Sequence, residues 1–229
     1  MAFNKTKIIA TLGPASAHID TMYEMVKSGV NVFRINFSHS SHDDAETLIH
    51  NVRSLNEKYD LNIAILADLQ GPKLRIGTVE EGAVVNKGDI LTFTNTKKQG
   101  NASEVYMNYS QFPKDVKEGE RILLDDGKLV MEITETNRQD TVKAKVVQGG
   151  PLKSKKGVNL PNTRISLPCL TEKDLADLKV ALKHEVEWIG LSFVRSPEDV
   201  KELRSIIDEN NAPSRIISKI EKPEAVVEI

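Results

Sequence analysis

The chain has 229 residues, of which 39% are hydrophobic and 28% charged, the mixture of an ordinary soluble globular protein with room for one large or two modest domains. Its formal charge is −2 with basic and acidic residues interleaved, so the whole-molecule field offers no attraction for nucleic acid or an anionic membrane, and any anion site has to be local. A single cysteine, Cys169, forms no internal bridge, and the opening MAFNKTKIIATLG lacks the apolar run of a signal peptide or spanning helix, so the expected compartment is the cytoplasm.

Residues 1–69 alternate short apolar runs with amphipathic stretches, the pattern of βα units around a parallel sheet. Residues 7–11 read as the first strand. Ile19, Met22, Tyr23 and Val26 then recur at helical spacing, and Gly29 follows as a left-handed C-cap. A second strand is expected over 30–37. Ala45, Leu48, Ile49, Val52 and Leu55 mark the next helix, and the nearly unbroken apolar run 63–69 reads as a strand buried on both faces.

From 70 to 167 the helical periodicity disappears, and Gly, Asn, Asp and Thr punctuate β-rich runs such as 90–94 and 142–147. Within 122–133, Asp126-Gly127 between two apolar runs suits a tight hairpin turn. This segment reads as a separate, inserted, small all-β domain. The first pattern resumes over 168–229: Thr171 to Asp174 and Ser196 to Asp199 are capping boxes, while 188–194 and 215–221 are strands. Five parallel strands are too few to close an eight-stranded barrel, and the pattern alone leaves a three-layer open sheet open as an alternative.

In parallel βα architectures, functional side chains collect at the carboxyl ends of the strands, and every such end here carries a polar candidate. Arg34, Asn36 and Ser38 alternate onto one face, as do Lys219 and Glu221. Arginine offers a planar fork for phosphate, lysine a point charge for a transferring phosphoryl group, and glutamate a hard oxygen for magnesium, a set suited to phosphoryl transfer.

Five segments carry a resemblance to the pyruvate kinase family: Lys5-Thr-Lys-Ile-Ile-Ala-Thr-Leu-Gly-Pro-Ala-Ser16, Arg34-Ile-Asn-Phe-Ser-His39, Asp68-Leu-Gln-Gly-Pro-Lys-Leu-Arg75, Lys155-Lys-Gly-Val-Asn-Leu-Pro161 and Ser218-Lys-Ile-Glu-Lys-Pro-Glu224. They fall in the family's order and span nearly the whole chain. The resemblance implies a partial TIM (β/α)8 barrel, about five of eight strands, in segments 1–69 and 168–229, with the all-β barrel domain 70–167 between them. It implies phosphoryl transfer between phosphoenolpyruvate and ADP, giving pyruvate and ATP, in a cytoplasmic enzyme whose complete form is a homotetramer. By the same resemblance, Lys219 stabilises the transferring phosphoryl group, Arg34 binds phosphate, and Ser192 and Phe193 shape the substrate pocket. Glu221 ligates Mg2+ or Mn2+. Arg75 and Lys156 contact nucleotide phosphates, with Pro14, Asn36 and His39 on the nucleotide side, although Asp44 replaces the aromatic residue common five positions after His39.

Asn36, Ser38, Asp68 and the carbonyl of Leu69 match the family's potassium site, but Lys73 stands where potassium-requiring members usually have glutamate. Its ammonium is expected to replace the ion, because like charges crowded beside one carboxylate repel. The family's second metal-binding acid and its protonating threonine match nothing in these 229 residues, so poor turnover and exposed apolar strand edges are expected of them alone.

Plainer readings stand beside these. Lys219 and Glu221 form a common solvated pair, the charge of Arg34 in an apolar strand needs either a structural acid or a ligand, Ser192 suits a backbone-satisfying turn residue, and Cys169 reads as a small buried residue. A metal-dependent aldolase or lyase acting on pyruvate enolates, and a non-catalytic fragment, remain as competing functions; dependence on ADP discriminates between kinase and lyase.

Overall fold

A computed structural model describes residues 5–221 and 225–226. Lys222, Pro223 and Glu224, the tail of the last motif, lie outside the described residues. The chain divides into two compact units, one made of Met1–Pro72 with Pro168–Ile229 and the other of Lys73–Leu167.

The first unit runs β1 (Ile8–Thr11), α1 (Ile19–Lys27), β2 (Val30–Asn36), α2 (His42–Tyr59), β3 (Ala64–Asp68), α3 (Glu172–Lys183), β4 (Trp188–Leu191), α4 (Pro197–Glu209) and β5 (Arg215–Ser218). Its five strands form one sheet in chain order, each parallel to the next. That order lacks the reversal that defines the switch point of a doubly wound sheet. The face of α2 that packs inward consists of Ala45, Leu48, Ile49, Val52 and Leu55, the residues its periodicity selects. Ile65, Leu66, Ala67 and Asp68 of β3 are buried in succession, as befits a parallel strand covered on both faces. Gly29 takes φ 110° after the last turn of α1, and its N–H bonds the Val26 carbonyl, closing the helix by the left-handed route that glycine permits.

The two late strands are shorter than their apolar runs suggest. Strand β4 stops at Leu191 and β5 at Ser218, where the sequence pattern continues to Val194 and Glu221. Phe193 sits at φ 56°, a left-handed conformation costly for a bulky side chain, and this turns the backbone out of the strand. Lys219 and Glu221 therefore lie in the loop after β5, so strand alternation is not what brings them together. β2 likewise ends at Asn36, where the Ser38 N–H bonds Asn36 Oδ1 at 3.1 Å and bends the chain into a turn.

The second unit is a six-stranded sheet, parallel only where Ile90–Thr94 meets Glu104–Tyr106, with a two-stranded ribbon and the short helix Phe112–Asp115. Its core is a separate apolar cluster including Phe93, Phe112, Met131 and Val146. Strands Arg121–Leu124 and Leu129–Thr136 form a hairpin whose Lys128 N–H closes on the Asp125 carbonyl. Asp126 and Gly127 take φ 58° and 82° in that turn, the geometry that favours an Asp-Gly pair.

Candidate active site

Asp68 ends β3 with its side chain only 5% exposed. A carboxylate this buried needs compensating charge, and it receives two cations. Arg34, on the neighbouring β2, reaches Oδ2 through Nε at 2.7 Å and Nη2 at 2.5 Å, while its Nη1 donates to Thr11 Oγ1 on β1 at 2.9 Å. Lys219, beyond the end of β5, reaches the other oxygen, Oδ1, at 3.2 Å. The Arg34 partner is thus a structural acid, and the guanidinium remains part-exposed at the sheet rim.

Ser192 extends the network. Lys219 Nζ donates to its Oγ at 2.8 Å, and that hydroxyl donates in turn to the Leu69 carbonyl at 2.6 Å. Ser192 therefore satisfies a backbone group and orients the lysine at once. Glu221 Oε1 lies 3.5 Å from Lys219 Nζ, and its Oε2 accepts the Phe193 N–H at 3.0 Å, which ties the glutamate to the left-handed turn. Arg34 and Lys219, distant in the chain, are thereby joined on one rim through Asp68, and Glu221 joins them through Lys219. Two cations stand against two carboxylates, Asp68 buried and Glu221 at the margin, so the charges balance and the part-exposed guanidinium and ammonium are the groups an anion can approach.

Two glycines leave room for this arrangement. A β-carbon on Gly71, at φ 67°, would lie 2.9 Å from Phe193 Cδ2 and 3.0 Å from Ser192 Cβ. The Gly71 N–H is held at 3.0 Å by Asp174 of α3, a fully buried carboxylate that also caps its own helix through Thr171. Gly190 stands against Asp68 itself. Sequence reasoning missed both, although Gly190, inside an apolar strand run, carries a signal of close backbone approach.

The remaining candidates are placed as follows. Pro14 is exposed in the turn Pro14–Ser16 after β1, and His39 is exposed after β2, the adjacent strand. Asn36 ends β2, its carbonyl accepting the His39 and Ser40 N–H groups. Asp44 is bonded to Ser41 at the N-terminus of α2, its Oδ2 taking the Ser41 hydroxyl at 2.6 Å, so this position serves helix capping. In the second unit Arg75 pairs with Gly157, and its Nη1 donates to the Lys155 carbonyl at 2.8 Å. Lys156 bonds Asp125 Oδ1 at 2.9 Å, and its ammonium holds the Asp125 carboxyl below the usual range. The Lys73 carbonyl accepts from Asn108 Nδ2 at 3.1 Å.

Among the described residues no group of three or more His, Cys, Asp or Glu side chains is arranged to hold a metal ion. Asp68 is engaged by Arg34 and Lys219, which leaves Glu221 as the carboxylate on this rim suited to a hard cation. Glu221 is exposed, with Oε2 bonded to the Phe193 N–H and Oε1 3.5 Å from Lys219 Nζ, and its carboxylate is of the type that could supply one ligand to such an ion.

Residues 3–229 match the family model described as pyruvate kinase, barrel domain. The pyruvate kinase of Corynebacterium glutamicum is 43% identical over 226 residues, 98% of this chain and 47% of the relative, and that of Staphylococcus aureus is 37% identical over 224 residues, 97% of this chain and 38% of the relative. The crystal structure of a pyruvate kinase from Cryptosporidium parvum superposes with a TM-score of 0.91 at 32% identity, covering 98% of this chain and 48% of that one. The chain thus spans about half the length, or less, of the relatives it matches.

Proposed function

This chain belongs to the pyruvate kinase family, and from that membership we propose that it supplies one side of a site for phosphoryl transfer between phosphoenolpyruvate and ADP in glycolysis. The observation that carries the reading is the shared carboxylate: Asp68 fixes Arg34 and Lys219 at one rim, with Glu221 beside the lysine. Charges held in advance of reaction stabilise a transferring phosphoryl group without reorganising during the step.

In this reading Arg34 binds the phosphate of phosphoenolpyruvate, and Lys219 neutralises the phosphoryl group as its bond to the enol oxygen breaks and a new bond forms to the terminal phosphate oxygen of ADP. Ser192 orients the lysine, and Phe193 walls the substrate pocket. Glu221 would ligate Mg2+ or Mn2+, which supplies charge neutralisation to substrate oxygens when bound. Pro14, Asn36, His39, Arg75 and Lys156 are assigned to the nucleotide. Asn36, Ser38, Asp68 and the Leu69 carbonyl are assigned to the monovalent-cation position, with the Lys73 ammonium substituting for potassium.

The parallel strands in chain order support assignment of 1–69 and 168–229 to part of an eight-stranded barrel, about five strands of it, with 70–167 as the inserted β domain. No described helix is long and apolar enough to cross a membrane. The corresponding reading is a cytoplasmic enzyme, homotetrameric at full length.

These 229 residues alone are proposed to turn over poorly, because among the described residues the rim offers a divalent ion one available carboxylate, Glu221. The test is pyruvate formation from phosphoenolpyruvate and Mg2+, with and without ADP, by this chain and by one extended to the relatives' length. ADP-dependent pyruvate with stoichiometric ATP from the longer chain is expected. Pyruvate formed without ADP would contradict the kinase reading, and equal rates from both chains would refute the proposed poor turnover of the shorter one.

A further inference from the structure

The first two turns of α3 carry, besides Asp174, a buried carboxylate that the proposed chemistry does not use. Asp177 has a side chain 1% exposed, and its two oxygens take different partners. Oδ2 lies 2.5 Å from Lys173 Nζ, one turn earlier in the helix. Oδ1 lies 2.8 Å from His42 Nε2, at the start of α2. Lys173 Nζ also donates to the Phe37 carbonyl, just past the end of β2, at 2.8 Å.

Both ends of the β2–α2 connection are therefore tied to the same carboxylate, Phe37 through the Lys173 ammonium and His42 directly. Between those ties lie Ser38, His39, Ser40 and Ser41. The buried charge is not explained by folding stability alone, since a well-packed apolar group of similar volume commonly serves a core as well or better. What a buried carboxylate with both oxygens engaged provides is a fixed geometry for the groups it holds.

We propose that Lys173 and Asp177 are positioning residues that hold the 37–42 connection in shape and thereby present His39 to the nucleotide. The inference rests on the nucleotide assignment of His39 made above. Arg34 and Lys219 are anchored independently, by Asp68, so phosphoenolpyruvate binding does not pass through this clamp.

The experiment uses the whole chain and three variants, Lys173→Met, Lys173→Arg and Asp177→Asn, with two readouts: amide hydrogen exchange, and equilibrium binding of Mg-ADP and of Mg-phosphoenolpyruvate. The amides of His39 and Ser40, both bonded to the Asn36 carbonyl, should exchange faster in Lys173→Met and Asp177→Asn by about tenfold or more, while that of Leu69, bonded to Gly190, should not change. Mg-ADP affinity should fall by roughly fivefold to tenfold, as expected when one charge-assisted bond is lost, with phosphoenolpyruvate affinity retained. Lys173→Arg, which keeps a cation able to bond both oxygens, should restore both readouts. Unchanged exchange at His39 and Ser40, or equal loss of both ligands, overturns the proposal. Wild-type protein that binds neither ligand while the exchange response persists counts against the proposed function and supports the clamp. Lys173 is partly exposed, so its variants test the idea even where Asp177→Asn fails to fold.

Discussion

Gly190 and Asp68 sit in register on adjacent parallel strands, so close that a β-carbon on the glycine would lie 2.9 Å from the carboxylate Oδ1. That oxygen is the one that receives Lys219. A methyl group there displaces the carboxylate without removing any charge, which separates the geometry of the site from its composition. Gly190→Ala is therefore expected to cost about 1–3 kcal/mol of stability through overpacking and to weaken phosphoenolpyruvate binding by about tenfold or more. Urea unfolding and ligand titration measure the two effects; unaltered binding would show that the Asp68 position is immaterial.

Cys169 is buried beside the site, its Sγ 3.4 Å from the Ser192 carbonyl. Burial pushes its thiol up from 9.0 to about 12, with Asp199 adding to the rise. The folded thiol thus stays protonated where the unfolded one ionises. Its contribution to stability is fully present below pH 9.0 and is lost as pH rises from there to about 12. Native protein at neutral pH should resist iodoacetamide, reacting only on denaturation. Comparison with Cys169→Ala, which lacks the thiol, should show a shallower loss of stability over that alkaline window; identical slopes would remove the thiol from the account.

The Lys73 assignment predicts indifference to potassium. Phosphoenolpyruvate binding by this chain should be alike in potassium and in tetramethylammonium chloride, and Lys73→Glu should make it depend on potassium. A wild-type affinity that collapses without potassium would refute the substitution of ammonium for ion.

Much of the first unit was legible because its signals are local. The inward face of α2 follows directly from residue spacing, and β3 from an unbroken apolar run. The Asp126-Gly127 turn is likewise specified by the conformations those two residues tolerate. The ends of β4 and β5 were not legible, because the same apolar residues continue past a turn set by the left-handed Phe193. Arg34, Lys219 and Glu221 could be named as candidates from their positions near strand ends. The role of Asp68 as the common partner of Arg34 and Lys219 could not, since it depends on bonds from a neighbouring strand and from a loop distant in the chain. The clamp made by Lys173, Asp177 and His42 was invisible for the same reason: the Lys173–Asp177 pair is local to one helix, but only packing of α3 against the β2–α2 connection joins it to His42 and Phe37.

The most direct test of the central claim is the phosphorus NMR line width of phosphoenolpyruvate with this chain and substoichiometric Mn2+, which broadens only a phosphate held close to the bound ion. Wild-type protein should broaden the signal well beyond Mn2+ alone, and both Glu221→Gln, through loss of the ion, and Lys219→Met, through loss of the phosphate, should abolish the excess. Broadening that survives both substitutions, or never exceeds that of Mn2+ alone, would contradict a metal-bound phosphate at the rim built on Asp68.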